Sequence, residues 1–316
     1  MDATKKRVTI VTQSMFFILI IAGILLFSQI SNAANNNGPN NKNVTVRTNV
    51  NITNSKPEIL AITVFPETNS SGNNITLNAG SMRNVTCNAT LRDWNGYNDI
   101  VMVNATLWDM LSSTVNGVDN NNSHYTNVNC TNGGNGINYT VNYICVFPVY
   151  YYANNGTWSC NITVMDNSST FSTRGNTTVI YPIYAVNITD GINYGNAAVE
   201  DFTVNTTANV TNFGNMAINI TVEGYGAKSN DGLAMNCSLG GNITISNERY
   251  SLYDIDWTSK NVLTSSPVLL DGLTVSKQTL SDTLMTNATY WQLYVNSSNN
   301  PGGNCSGYVI FTATTP

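Results

Sequence analysis

Apolar side chains and asparagine sequons alternate along this chain with a period of two. In Asn84-Val85-Thr86-Cys87-Asn88-Ala89-Thr90-Leu91 the residues Val85, Cys87, Ala89 and Leu91 share one parity, and the sequon residues Asn84 and Asn88 share the other. The same phase recurs around Asn161, through Asn205 and Asn209, and around Asn219 and Asn242. Successive side chains of a strand point to opposite faces, so the pattern dictates strands with one apolar face for a core and one wet face able to carry sugar. Asn is about one residue in six, and the roughly two dozen Asn-x-Ser/Thr sequons are about twice what random placement would give. No 3.6-residue periodicity stands out beyond the first 33 residues, which argues against a helical fold. The expectation is an all-β, N-glycosylated, extracellular chain.

The N-terminus agrees with export. Lys5, Lys6 and Arg7 precede an unbroken apolar run from Met15 to Phe27, and Ser31-Asn32-Ala33 forms a small-x-small cleavage site. The run is short of the roughly 20 residues that span a bilayer. Residues 1–33 therefore read as a cleaved signal peptide, with a retained anchor as the alternative. No tail anchor, GPI-type signal or lipidation motif follows, so no membrane attachment is expected once the leader is gone. Formal net charge is −5, and about −7 without the leader, which disfavours nucleic acid and anionic membranes as partners. Charged residues make up 10% of the chain, against about 25% in ordinary soluble proteins, so solubility falls to Asn, Thr, Ser and sugar. Six cysteines, an even number, suit an oxidising compartment. Without Cys-x-x-Cys spacing, and with His124 as the single histidine, a zinc site is not expected.

Residues 34–56 form an Asn-rich arm, followed by a first domain over 57–181 and a second over 182–316, each of ordinary size for one core. Strand-like stretches every 10 to 20 residues, punctuated by Asn-Gly and Gly-Asn turns, point to two tandem β-sandwiches. Gly156-Thr157-Trp158-Ser159-Cys160-Asn161-Ile162 resembles the penultimate strand of an immunoglobulin-like domain, with an aromatic two residues before the second cysteine. That resemblance pairs Cys87 with Cys160, and Trp94 is a residue that would pack against the bridge. Cys130 with Cys145 would close a smaller loop near a hairpin, and Cys237 with Cys305 are the candidates within the second domain. The segment 208–222, with its Asn212-Phe213-Gly214-Asn215 turn between alternating strands, resembles the opening of adhesion-related β-sandwich repeats. Across both domains the chain resembles secreted, glycosylated archaeal cell-surface proteins built from immunoglobulin-like domains. The resemblance implies a structural or adhesive role, as a filament or surface-layer subunit. It also implies that the partners are copies of the chain itself or other cell-envelope glycoproteins.

Candidate chemistry is sparse. Asp93-Trp94-Asn95-Gly96-Tyr97-Asn98-Asp99 gathers oxygen ligands about a turn glycine, so Asp93, Asn95 and Asp99 are candidate calcium ligands beside the plainer reading of a solvated turn. Asp254 and Asp256 form a second acidic spot. His124 lies in a polar stretch without a nucleophile motif and reads as a solvated loop residue, Glu200 and Asp201 should face apart, and no cofactor or enzymatic activity is expected. Tyr150, Tyr151 and Tyr152, or Tyr290 and Trp291, would form a sugar-stacking strip if exposed together, which would make the chain a monomeric carbohydrate-binding or adhesion module instead.

The arm holds one complete amphipathic strand over residues 43–53. Val44, Val46, Thr48, Val50 and Ile52 alternate with polar residues, and the sequons at Asn43 and Asn51 lie on the polar face. Two destinations suit it: an extra strand on the chain's own first domain, or donation to the sheet edge of a neighbouring subunit.

Overall fold

The computed structural model describes residues 45–66, 74–134, 136–188 and 191–316. The candidate signal peptide, Asn43 and Val44 lie outside the described residues. The chain divides into two units, Met1–Thr53 and Asn54–Pro316. In the first, residues 45–53 carry no strand and are exposed throughout, with Val46, Val50 and Ile52 at 70%, 85% and 84% exposure. An amphipathic strand gains stability from a ladder and a face to bury, and here it has neither.

The second unit is all-β. Its first sandwich contains β1 (Glu58–Pro66), β2 (Asn74–Ile75), β3 (Arg83–Arg92), β4 (Ile100–Asp109), β5 (His124–Asn127), β6 (Thr131–Asn132), β7 (Thr140–Val149), β8 (Gly156–Asp166) and β9 (Phe171–Ile180). One sheet runs β1-β3-β7-β6 and the other β2-β9-β8-β4-β5, antiparallel except where β2 meets β9. Val85, Cys87, Ala89 and Leu91 of β3 share one core with Trp158, Cys160, Ile162 and Val164 of β8. The bridge between Cys87 and Cys160 joins the two sheets, and a second bridge joins Cys130 to Cys145 on β7. Trp158, not Trp94, is the buried indole: it is fully covered and donates Nε1–H to the Asn154 carbonyl at 2.8 Å. Trp94 is half exposed under the Arg92 guanidinium and beside Tyr139. Trp94 lies in the turn just after β3, which carries it out of the core and away from the bridge.

The second sandwich contains β10 (Val186–Ile188), β11 (Asp201–Phe202), β12 (Thr206–Asn212), β13 (Ile218–Tyr225), β14 (Leu233–Cys237), β15 (Asn242–Thr244), β16 (Glu248–Ser251), β17 (Asn261–Val262), β18 (Val268–Val275), β19 (Thr286–Val295), β20 (Cys305–Ser306) and β21 (Tyr308–Thr314). The sheet β10-β12-β19-β16-β17 faces β18-β13-β21, flanked by the small sheet β15-β14-β20. Ala208, Val210, Trp291 and Leu293 meet Ile218, Ile220, Val222 and Val275 in the core. Cys237 pairs with Cys305 across β14 and β20. On a loop-entropy account each of the three bridges contributes about 3 to 4.5 kcal/mol.

The sequon parity holds in space. Asn205 and Asn209 are exposed, Asn84, Asn88, Asn161, Asn219 and Asn242 are half-buried, and Asn51 is exposed in the arm. Their apolar neighbours along each strand fill the cores.

The Asn-x-Gly-Asn turn is the joint between the sandwiches. Asn212 is fully buried; its Nδ2 donates to the carbonyls of Met216 and Val275, and its Oδ1 accepts from Gly214 N–H. Asn215 reaches back to the linker, accepting from Ile183 N–H at 2.6 Å and donating to the Tyr181 carbonyl at 3.1 Å. Phe213 packs on Tyr151, whose hydroxyl donates to the buried Gln278 of the second sandwich. Gly214 leaves no room for a side chain, because a Cβ there would lie 2.1 Å from the Ile183 carbonyl oxygen. Forcing one against backbone costs about 1–3 kcal/mol or more. Gly214→Ala should therefore lower the melting temperature and uncouple the two sandwiches into separate calorimetric transitions. Gly302→Ala, where the nearest atom is 3.6 Å away, should leave a single transition.

Candidate functional site

Three features of the second unit carry chemistry: an acid cluster at one end of the first sandwich, an aromatic patch on the second, and a groove beside a buried acid.

The acid cluster brings together residues far apart in sequence. Asp93 follows β3, Asp99 ends the short 3-10 turn Tyr97–Asp99, and Asp166 ends β8. Their nearest carboxylate oxygens all lie within 4.8 Å of one another. Asp93 and Asp166 are completely buried and Asp99 is half-buried. Asp93 Oδ1 accepts from Asn95 N–H at 2.7 Å, while Oδ2 is buried without a hydrogen-bond partner. Burial pushes the Asp93 carboxyl above its ordinary range, and the charges of Asp99 and Asp166 push the same way. Burial acts likewise on Asp166, but hydrogen bonds from Thr170 and Asn54 outweigh it and hold that carboxyl below its ordinary range. Asn95 stands apart: its side-chain oxygen accepts from Ser55 N–H at 2.7 Å. Asp166 takes the place expected of Asn95, and the turns fix this arrangement, since Asn167 N–H donates to the Asp99 carbonyl and Asp99 N–H to that of Gly96. Nothing local in the sequence marks Asp166, because it is the β4–β8 pairing, Ile100 opposite Asp166, that places it there.

The tyrosine strip weighed as an alternative does not form. Tyr151 and Tyr152 are buried and Trp291 is in the core. An aromatic patch forms elsewhere. Phe202 of β11 stands 4.8 Å from Tyr294 and 5.0 Å from Trp257, whose ring the Arg249 guanidinium covers at 4.7 Å. The Tyr294 hydroxyl donates to Glu200, which also accepts from Ser297 N–H, and these hydrogen bonds hold the Glu200 carboxyl down to about 2. Sequence order hides this patch, since its three rings come from three strands or turns. Of the second acidic spot, Asp254 and Asp256 are exposed, and Asp254 accepts from the Asn205 side chain.

His124 is not a solvated loop residue. It begins β5, is 1% exposed, and its Nδ1 lies 2.7 Å from Asp119 Oδ1.

A groove of about 880 Å³ runs along the second sandwich, lined by Tyr194, Met235, Ile243, Leu293 and Val295 and by the loop leading into β21. Behind it lies Glu248, 2% exposed, accepting from the Tyr194 hydroxyl at 2.6 Å. Burial raises its carboxyl from an ordinary 4.5 to about 7, against the lowering effect of the Tyr194 hydrogen bond. An acid whose folded pKa is raised favours folding fully below pH 4.5 and loses that contribution as pH climbs through 7. The loss amounts to about 3 kcal/mol. The stability of the protein relative to Glu248→Gln should therefore fall between pH 5 and pH 8 in denaturant titrations, and the variant should lack that component of the pH slope.

No family model matches the chain, and no curated protein matches it. Among solved structures, it is similar to the chaperone–tip adhesion subunit pre-assembly complex of archaic chaperone–usher Csu pili of Acinetobacter baumannii, with 10% identity over 76% of this chain and 96% of that one, and a TM-score of 0.39. A chaperone–tip adhesin complex of CFA/I fimbriae biogenesis covers 84% of this chain and 92% of its own at 9% identity, with a TM-score of 0.28. A carbohydrate-binding module of the β-sandwich superfamily covers 82% and 97% at 14% identity, with a TM-score of 0.25.

Proposed function

We propose that this chain is a secreted, N-glycosylated structural or adhesive subunit of the cell surface, without enzymatic activity, that assembles with copies of itself by donating residues 43–53 to a neighbour. The observation that carries the reading is the state of the arm: residues 45–53 alternate apolar and polar side chains, yet join no sheet and expose Val46, Val50 and Ile52. A segment patterned for a ladder and left outside one is suited to a ladder on another molecule. No helix among the described residues is long and apolar enough to cross a membrane.

The second sandwich offers an acceptor. Among the described residues β21 pairs only with β13, and its inward residues Val309, Phe311 and Ala313 pack on the core while remaining half-exposed. The β1 edge of the first sandwich is closed by comparison. Ser172, Arg174 and Asn176 of β9 donate to the carbonyls of Pro57, Ile59, Leu60 and Ile62 along β1. A donated strand beside β21 would complete the burial that Phe311 and Val309 lack, at about 25 cal/mol per Å² of apolar surface.

A sugar-binding reading has one observation in its favour, the half-exposed patch of Phe202, Trp257 and Tyr294 with acids at its rim. Trp257→Ala would then abolish glycan binding without altering assembly.

The test of the main reading is assembly of the chain beginning at residue 34. It should elongate into polymers visible by electron microscopy. Deletion of residues 34–53, or the pair Val50→Asp and Ile52→Asp, should leave a folded monomer with unchanged circular dichroism. An intact chain that stays monomeric at high concentration would overturn it.

A further inference from the structure

We propose that Asp93, Asp99 and Asp166 form a calcium site that clamps the root of the arm to the first sandwich. The site does not depend on the arm being donated.

The geometry fits the ion. Oxygens that share one Ca²⁺ at 2.3–2.6 Å lie no more than about 5 Å apart; the three carboxylates are mutually within 4.8 Å. Two of them are wholly buried and no Lys or Arg ion pair reaches any of the three among the described residues. Carboxylates held together out of water repel one another and pay for lost hydration unless a cation or a proton neutralises them. The Asp93 side chain is the sharpest sign of a missing partner. It is buried to 0% exposure, uses Oδ1 for the Asn95 N–H, and leaves Oδ2 with nothing to bind. Such an orphaned oxygen, beside two further carboxylates, is what a cation would satisfy. Asp166 Oδ2 already accepts from both Asn54 and the Thr170 hydroxyl, whereas Oδ1 accepts from the Thr170 N–H and retains a lone pair for an ion.

Calcium suits the site better than magnesium. The donors come from two turns and a strand end without a regular octahedral frame, and Ca²⁺ accepts irregular sets of oxygens where Mg²⁺ does not. What the ion would hold together is also on the page. Asn54 donates to Asp166 at 2.8 Å and Ser55 N–H donates to Asn95 at 2.7 Å, so the first two residues of the second unit are already tied to the end of β8 and to the turn after β3. An ion on Asp93, Asp99 and Asp166 would lock those turns and with them the point where the chain leaves for the arm.

The experiment is a melting and binding series on the purified protein stripped with EGTA. Added CaCl₂ should give a saturable heat near one ion per chain and raise the melting temperature by roughly 5–10 °C at a hundredfold excess over Kd. Asp99→Asn, at a half-buried position, should fold and lose most of that shift; the isosteric Asp93→Asn should lose it too. Asp109→Asn removes a buried acid outside the cluster and should keep the full calcium response. Tb³⁺ should luminesce on excitation of the neighbouring Trp94. Trp94→Phe should lose the luminescence but keep the calcium shift. Equal melting in calcium and in EGTA, an equal response to MgCl₂ alone, or a calcium shift that survives in both Asp93→Asn and Asp99→Asn would each overturn the site.

Discussion

The bridge between Cys87 and Cys160 crosses the first sandwich between the central strands of its two sheets. Both sulfurs must point inward, and strand geometry then sends Val85, Ala89 and Leu91 inward on β3 and Trp158, Ile162 and Val164 inward on β8. The same geometry turns Asn84, Asn88 and Asn161 away from the core. A slip of one residue on either strand would exchange the two sets, burying amides and exposing Leu91 and Ile162. Cross-link, core and sequon-bearing face are therefore a single constraint. The second sandwich obeys it through packing alone on its central strands, since its bridge lies at the periphery between β14 and β20.

With one residue in ten charged, polar organisation falls to neutral side chains. Asn212 and Asn215 build the joint, Asn176 helps to seal the β1 edge, and Thr289 receives the Trp291 indole N–H while donating to the Ala208 carbonyl. Amides can donate and accept at once without the desolvation cost of a charge, so they serve as internal fasteners where a salt bridge would gain little. The consequence is an uneven perimeter. The β1 edge is closed by three side chains from β9, whereas β21 keeps an outer edge and half-covered Val309 and Phe311. An exposed apolar edge is a liability that proteins commonly cover.

Period-two alternation was legible because it is local: each strand declares its faces within eight residues, and the cysteines could be sorted by domain. What escaped was whatever depends on distant residues meeting. Asp166 lies 67 positions beyond Asp99 and joins the acids only because β4 and β8 run antiparallel from Ile100↔Asp166 onward. Phe202, Trp257 and Tyr294 meet for the same reason, through β11 on β19. His124 misled because a polar neighbourhood in sequence says nothing of the pairing of β5 with β4, which sets it opposite Trp108 in a buried position. The arm misled in the opposite sense, its pattern being that of a paired strand while residues 45–53 form none.

The remaining acids show how unusual Asp93 is. Asp231 accepts from the N–H groups of Gly226, Ala227, Lys228 and Leu233, which together hold its carboxyl far below the ordinary range. Asp109, buried like Asp93, accepts from Leu111, Ser112 and Asn154. Glu200 is satisfied by Ser297 and Tyr294, and even Glu248, in the core, has Tyr194. A chain that has few carboxylates and supplies donors to these leaves one Asp93 oxygen buried with no partner, in the place where two other carboxylates approach. Orphaned buried oxygens cost about 1–3 kcal/mol, more when charged; those of Asn88, Thr106, Asn122, Tyr152 and Ser265 belong to neutral groups, whereas that of Asp93 belongs to a carboxyl group. The economy of the other acids is thus the strongest argument that the partner of Asp93 is not part of the polypeptide.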